Sequence, residues 1–202
     1  MNIYRQNKKY SIKIEEADVA PICSLPSSWE RYLQTLSKKN RHEIRRKIRN
    51  IGNHSTYSRY VFDPIRDDID ECFTDFIRLH KGSSIAKTQF MTPGREDFFF
   101  DMFSELAQRD ELRLEFLILE DKRVACCVGF DYADSYLLYN SGYDPQYSDL
   151  SVGFVNKVLA LEGSISAGRR TFDFLRGSER YKYQLGGVDR PVYNILLHNE
   201  AS

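Results

Sequence analysis

The side chains best suited to chemistry lie in one stretch, FDFLRGSERYKY, at residues 172–183. A carboxylate between two phenylalanines, as Asp173 is, can act as a general base, and the phenol of Tyr181 can transfer a proton. Neighbouring cations would attract an anionic substrate. The candidates are Asp173, Glu179 and Tyr181 for proton transfer and Arg176 and Lys182 for substrate binding. A purely structural interpretation stays open, in which Asp173 pairs with Arg176 across a strand end and Tyr181 packs.

The pattern upstream predicts the elements that position this stretch. Residues 135–143 are aromatic and apolar and end at Asp144-Pro145, which predicts a strand. Apolar residues at helical spacing predict a helix from Val152 to Ala167 with Ser151 as its N-cap, and RTFDFL predicts a second strand over 170–175. In such a βαβ unit the strands are parallel, and ligands favour their carboxyl ends beside the helix N-terminus. The candidates for cofactor binding are therefore Asn140, Ser141, Gly142, Ser151, Val152 and Gly153.

The rest of the chain predicts helices around a mixed sheet. In the first half we expect a short strand at 10–14, an extended segment at 23–25, a long helix from Ser27 or Ser28 to Gly52, a strand at 56–62 and a helix at 67–80. A polar connection at 81–90, a helix after Thr92, paired strands at 112–119 and 123–131, and a last strand at 192–198 should follow. An antiparallel meander that leads into a βαβ crossover is an α+β arrangement.

Composition narrows the class of protein. Hydrophobic residues make up 42% of the chain, and no apolar run approaches the roughly 20 residues that span a bilayer. Cys126 and Cys127 are adjacent, so on a strand they point to opposite faces and are predicted to be reduced core residues. We expect a cytoplasmic location, because reduced cysteines are typical of reducing compartments. The four histidines have no ligand spacing, so no metal is expected, and His80 is interpreted as a core residue.

Positive charge is concentrated in one predicted helix. Residues 1–60 hold 13 Lys and Arg against 5 Asp and Glu, whereas residues 61–121 hold 7 against 15. Seven of the cations fall between Lys38 and Arg49, and Arg45 is the one we assign to substrate binding. This density favours an anionic partner over an ordinary solvated face. Coenzyme A phosphates, a nucleotide-linked sugar or a tRNA are all compatible with it, and the helix lacks aromatics for base stacking.

Four segments taken in order resemble a known family. They are SLPSSWERYLQTLSKKNRHEIRRKIRNIG, LRLEFLILEDKRVACCVGF, YNSGYDPQYSDLSVG and FDFLRGSERYKYQLG. Together they resemble the GNAT-fold acetyltransferases of the CelD-like group from cellulose biosynthesis, which are related to Fem-type peptidyltransferases. Members of that group are usually longer, so the resemblance implies that residues 1–26 are a linker or remnant and that 27–202 form the GNAT-like domain. It also implies a homodimer or pairing with a missing N-terminal half.

The resemblance implies roles for the candidate residues. In GNAT folds acyl-CoA lies between two splayed parallel strands, with its pyrophosphate on the amides of the following helix. The family's phosphate loop corresponds to residues 148–153, where only the last glycine, Gly153, is retained. By analogy, Asp173 is the base, Tyr181 protonates the leaving thiolate, and Lys182 faces an anionic acceptor. The alternative for Lys182 is a buried ion pair with Asp173 or Glu179.

The sequence therefore predicts an N-acyltransferase that uses acetyl-CoA or another acyl-CoA. Its acceptor would be an amine or amino sugar in cell-envelope or polysaccharide metabolism. Two alternatives stay open. One is a Fem-like transferase that uses aminoacyl-tRNA as the donor, and the other is a non-catalytic interaction module or half of a split protein.

Overall fold

The computed structural model describes residues 10–199, which build a mixed six-stranded sheet with helices on both faces. Strands β1–β8 span Tyr10–Val19, Ile22–Ser24, Tyr57–Val61, Leu112–Leu119, Lys122–Tyr132, Ser135–Tyr143, Thr171–Asp173 and Pro191–Asn199. Helices α1–α7 span Trp29–Thr35, Lys38–His54, Ile69–Gly82, Ile85–Phe90, Pro93–Gln108, Val152–Ser166 and Arg180–Gln184. The main sheet has the order β2-β7-β6-β5-β4-β3. The predicted α+β class, with a mixed sheet flanked by helices, is confirmed.

The meander and the crossover are both present as predicted. Strands β3 to β6 pair antiparallel in succession, and β6 pairs parallel with β7 after the crossover through α6. The β4–β5 turn is tight because Glu120 and Asp121 both adopt positive φ, at 51° and 62°. A turn with positive φ at both central residues has a backbone twist that matches the right-handed twist of the flanking strands.

Each face of the sheet is covered by its own hydrophobic core. Helices α1, α2 and α6 pack on one face, where Cys127 is buried, and α3 and α5 pack on the other, where Cys126 is buried. The prediction that these two cysteines point to opposite faces is confirmed. His80 is 1% exposed and belongs to the α3 side, as expected for a core residue. Within residues 10–199, every helix is too short or too polar to span a lipid bilayer.

Two helix predictions need correction. The long helix predicted from Ser28 is two helices, because Leu36 is extended and the hydroxyl of Ser37 accepts a hydrogen bond from the amide of Asn40 to start α2. The segment 81–90, predicted as a polar connection, contains helix α4, which the hydroxyl of Ser84 caps. In both cases a serine supplies the acceptor that a new helix N-terminus requires.

The last strand lies outside the main sheet. Strand β8 pairs only with β1, in a separate antiparallel ribbon of two strands. One face of this ribbon is apolar and solvent-exposed, and its side chains are Ile12, Ile14, Tyr193, Ile195 and Leu197. The first nine residues and the last three of the predicted domains lie outside the described residues.

The segment that precedes α1 is tied to the main sheet. Strand β2 pairs antiparallel with β7, and Cys23 of β2 is buried in the α6-side core. The amide of Phe174 donates to the carbonyl of Pro21 at 3.0 Å, and that of Gly177 donates to Val19 at 2.9 Å. A domain boundary between residues 26 and 27 stays a prediction, yet residues 19–25 support the strand and loop that carry the candidate site.

Candidate active site

The parallel strands β6 and β7 separate early and leave an open edge on β6. Their pairing comprises three positions, from Ser135 with Thr171 to Leu137 with Asp173. Strand β6 then continues to Tyr143, and β5 follows it on the other side through a register shift at Val128–Gly129. In the part of the chain that the structure describes, no strand pairs with the β7-facing edge of residues 138–143. Backbone groups along such an edge are available to a ligand.

The N-terminus of α6 follows the open edge, and its polar groups attract negative charge. Ser151 adopts the left-handed conformation with φ 55°, and its hydroxyl accepts a hydrogen bond from Lys47 of α2 at 2.7 Å instead of capping α6. The amides of Val152 and Gly153 have no hydrogen-bond acceptor among residues 10–199. Free first-turn amides and the positive end of the helix dipole attract negative charge, and the Lys47 ammonium adds to that attraction.

These groups surround a cavity of about 290 Å³. Its lining residues are Lys47, Tyr143, Ser148, Ser151, Val152, Gly153, Phe154, Lys157 and Tyr181. At Gly153 a Cβ atom would lie 3.1 Å from the ring of Tyr143, a tight contact that would require a small shift of that ring. Lys157 is 8% exposed, donates to the carbonyl of Gly153 at 3.0 Å, and lies 4.9 Å from the ring centre of Tyr181. Of the predicted residues, the cavity therefore brings together Ser151, Val152, Gly153 and Tyr181.

Tyr181 is electrostatically suited to keep its proton. Burial, followed by the nearby charge of Glu179, raises the pKa of Tyr181 above its ordinary value. Tyr181 is the second residue of α7, and it lines the cavity. A neutral phenol at this position can donate a hydrogen bond to a developing negative charge.

A second group of polar side chains meets the open edge from the α3 side. Lys87 of α4 donates to the carbonyl of Ser141 at 2.5 Å, and burial followed by the charge of Lys157 lowers the pKa of Lys87. Burial, followed by the charge of Lys87, lowers the pKa of His80 to about 4, so this imidazole is neutral near pH 7. The side-chain interaction of His80 with Asn140 acts in the opposite direction and raises the pKa of His80. Asn140 and Ser141 thus lie at the open edge but outside the α6 cavity.

The close packing of α3 against β6 accounts for the glycine at position 142. A Cβ atom on Gly142 would lie 2.4–2.5 Å from backbone atoms of Leu79 and His80. The residue is buried and faces α3, and a strand residue without a side chain permits this close approach of the helix. The predicted role of Gly142 in cofactor binding stays a prediction.

Asp173 and Arg176 lie beside the site rather than in its cavity. The carboxylate of Asp173 accepts a hydrogen bond from the amide of Leu175 at 2.7 Å, which stabilises the turn after β7. The guanidinium of Arg176 pairs with Asp18 of β1 at 2.7 Å, not with Asp173. This pairing lowers the pKa of Asp18, with the hydrogen bond from Arg176 as its main cause. The predicted catalytic role of Asp173 stays a prediction.

Lys182 is a structural residue in this conformation. It is 1% exposed, and its ammonium donates to the carbonyls of Leu175, Arg176 and Gly177 at 2.9–3.0 Å. The same ammonium lies 2.9 Å from the carboxylate of Glu179. Because an ammonium has three donors, four acceptors saturate it. These contacts agree with the alternative of an ion pair with Glu179, although only the Lys182 side of that pair is buried and the Glu179 side chain is 57% exposed. That Lys182 faces an anionic acceptor stays a prediction.

Arg45 lies on another surface. It lines a groove between α2 and α7 together with Arg180, and it takes no part in the α6 cavity. Three lysines around the open edge were not singled out from the sequence, namely Lys47, Lys87 and Lys157. The sequence could have indicated Lys157, because Lys157 and Glu162 are the only charged residues of α6. It could not have indicated Lys47, since Lys47 is one of seven cations in the same helix.

Comparison with known proteins identifies the domain. The model of the acetyltransferase (GNAT) domain matches residues 38–183, which include α2, the meander, α6 and Tyr181. A search of curated proteins finds no match.

Solved structures share the fold at low identity. A conserved protein of unknown function from Bacteroides thetaiotaomicron has a TM-score of 0.62 at 15% identity, with 93% of this chain and 62% of that one covered. FemX has a TM-score of 0.64 at 9% identity, with 87% and 60% covered. L-PGS from Bacillus licheniformis has a TM-score of 0.62 at 14% identity, with 100% and 65% covered.

The chain thus spans between 60 and 65% of the length of these three structures. At such identities they show the fold alone. The family match rests on the sequence of more than half the chain and agrees with the splayed strands and with the free amides at the start of α6. The chain belongs to the GNAT acetyltransferase domain family.

Proposed function

We propose that the chain is an N-acyltransferase that takes its acyl group from acetyl-CoA or another acyl-CoA. The observation that carries the proposal is the α6 cavity, where free amides of Val152 and Gly153 lie beside the Lys47 ammonium. A pyrophosphate requires such donors and positive charge. Residues 148–153 retain only one glycine of the family's phosphate loop, and in this proposal Lys47 and Lys157 take over the role of that loop.

The chain's own groups suggest how the reaction would be assisted. Acyl transfer to an amine releases a thiolate, which needs a proton, and Tyr181 holds one in the lining of the cavity. Removal of the proton from the amine requires a base, for which Asp173 stays the proposed group. Glu179 is a weaker proposal as a base, because its carboxylate already contacts the Lys182 ammonium.

The acceptor in this proposal is an amine or amino sugar of cell-envelope or polysaccharide metabolism. The support is the CelD-like resemblance of the four sequence segments. This proposal has two alternatives. One is a transferase that uses aminoacyl-tRNA as the donor, and the other is a non-catalytic role.

Calorimetry with two ligands tests the donor. Wild-type chain is titrated with acetyl-CoA and with acetyl-pantetheine, which lacks the nucleotide and its phosphates. We expect tighter binding of acetyl-CoA, and Lys47→Gln should weaken it about ten- to 150-fold, the range for about 1.5–3 kcal/mol of charged hydrogen bonding. Acetyl-pantetheine binding should not respond to Lys47→Gln.

Lys39→Gln is the matched control, because it removes the same charge from another position of α2 and lies outside the cavity. No binding of acetyl-CoA by wild type at millimolar concentration would refute the acyl-CoA donor. Equal losses in Lys47→Gln and Lys39→Gln would refute the assigned phosphate contact.

A further inference from the structure

A second surface of the molecule carries surplus positive charge. The basic groove is a depression of about 910 Å³ between α2 and α7. Its cationic lining residues are Lys38, Lys39, Arg41, Arg45, Arg49 and Arg180. Uncharged donors that could contact phosphate or sugar oxygens also line it, namely Asn40, His42 and Gln184.

These cations differ from most others because no carboxylate neutralises them. Within residues 10–199, none of the six forms an ion pair, whereas 14 other Lys and Arg residues each have an Asp or Glu within 4.0 Å. The charge of the groove is therefore not balanced by the described part of the chain. Like charges held together raise the energy of the free protein and favour an anionic partner.

The single acid of α2, Glu43, also lines the groove, but it does not compensate for this charge. Both oxygens of Glu43 accept hydrogen bonds at 2.8 Å from Arg46, which lies outside the groove, and Lys47 is 3.7 Å away. The hydrogen bonds from Arg46 lower the pKa of Glu43 to about 2, so the carboxylate stays ionised and already paired. Its negative charge is thus shared with cations other than the six.

The spacing of the cations indicates an extended partner. Lys38, Arg41, Arg45 and Arg49 recur at steps of three and four residues, which places them along one side of α2. At about 1.5 Å per residue this row is about 16 Å long. A single phosphate or diphosphate would contact only one or two members of the row.

The side-chain types point to phosphate. Four of the six cations are arginines, whose planar forks bind phosphate oxygens with two hydrogen bonds. Among the described residues no Phe, Tyr or Trp lines the groove, so it lacks the large aromatic platforms on which successive bases stack. We propose that the basic groove binds the phosphodiester backbone of a nucleic-acid strand without reading its sequence. This proposal does not rest on the acyltransferase function.

Fluorescence anisotropy with labelled oligouridylate and oligodeoxythymidylate of about 20 nucleotides tests it. We expect binding at about 50 mM NaCl that weakens with salt, with a slope of log K against log salt near −3 for about four contacts at about 0.7 each. The variant with Arg41→Gln, Arg45→Gln and Arg49→Gln should lose about two units of that slope. Comparing the two oligonucleotides shows whether RNA or DNA is preferred.

Arg66→Gln, Arg78→Gln and Arg109→Gln together form the matched control. These arginines are exposed, lie outside the groove, and their removal changes the net charge equally. An equal slope change in the control, or no binding of either oligonucleotide by wild type, would overturn the proposal. Polyglutamate that competes as well as the oligonucleotides would also overturn it, because the groove would then bind any polyanion. The variant with the three groove arginines replaced should bind acetyl-CoA as wild type does. Failure of the nucleic-acid proposal can therefore be distinguished from failure of the acyl-CoA proposal.

Discussion

At the scale of single residues, Lys182 shows how a cation in a motif can serve the fold. Its ammonium bridges three consecutive carbonyls of the loop after β7 and the Glu179 carboxylate at the start of α7. The loop contains Leu175 at φ 55° and Gly177 at φ 112°, conformations that need support from their surroundings. Lys182 supplies that support and thereby fixes the position of Tyr181.

We predict that Lys182→Met destabilises the protein. The methionine keeps the packed stem, but the three carbonyls lose their donor, and a buried acceptor without a partner costs about 1–3 kcal/mol. A total loss near 3 kcal/mol would lower the melting temperature by about 6–12 °C for a chain of this size. Thermal unfolding followed by circular dichroism measures the change.

Lys122→Met serves as the control, because Lys122 is exposed at the β4–β5 turn and forms no ion pair within residues 10–199. Its melting temperature should match that of wild type. If Lys182→Met also melts like wild type, the loop does not depend on this ammonium, and the prediction that Lys182 faces the substrate is favoured.

At the scale of elements, the contact of α3 with β6 sets the shape of the open edge. The backbone of Leu79 and His80 packs directly on Gly142, and α4 follows α3 and brings Lys87 to the Ser141 carbonyl. A helix can approach a strand this closely only where the strand residue has no side chain. The position of α3 therefore decides which groups line the α3 side of the edge.

We predict that Gly142→Ala lowers stability by about 1–3 kcal/mol or more, since the new methyl group would overlap backbone atoms that cannot rotate away. Gly94→Ala is the matched control, because Gly94 lies in α5 with no atom within 4 Å of its ideal Cβ. Alanine there should be neutral or stabilise by up to about 1 kcal/mol. Urea unfolding midpoints compare the two, and equal midpoints would contradict the close contact of α3 with β6.

At the scale of the whole molecule, the segment before α1 links the two sheets. Residue Val19 ends the β1–β8 ribbon, and Ile22 begins the edge strand beside β7. The carbonyls of Val19 and Pro21 accept hydrogen bonds from the loop that follows β7. The conformation of the candidate catalytic loop is thus held in part by residues far away in sequence.

We predict that a chain starting at residue 27 loses cooperative unfolding. Without β2, the backbone of β7 has no antiparallel partner, and the core that Cys23 fills is opened. A chain starting at residue 20 keeps β2 and separates its contribution from that of β1. Near-ultraviolet circular dichroism during heating measures the transition. A melting temperature equal to that of the full chain in the residue-27 variant would support the interpretation of residues 1–26 as a linker.

The sequence by itself determined the elements whose signals are local. The aromatic and apolar run that ends at Asp144-Pro145 located β6 at its observed bounds, and helical periodicity located α6 to within one residue. The order of meander and crossover led to the mixed sheet, because parallel neighbours need a crossover and antiparallel ones do not. Free helix-start amides follow from backbone geometry, so the cavity at Ser151–Gly153 was predictable without any side-chain contact.

Only the tertiary structure decided the roles of the charged side chains. Lys182 and Lys47 look alike in sequence, yet one is saturated by four acceptors and the other lies in the cavity beside α6. Long flexible side chains reach partners several ångströms away, and those partners lie on elements that are distant along the chain. The same reason explains why Arg176 pairs with Asp18 of β1 and not with Asp173, which is only three residues away in sequence. Periodicity reports which face of an element is buried, but the partners of a charge depend on how the elements pack together.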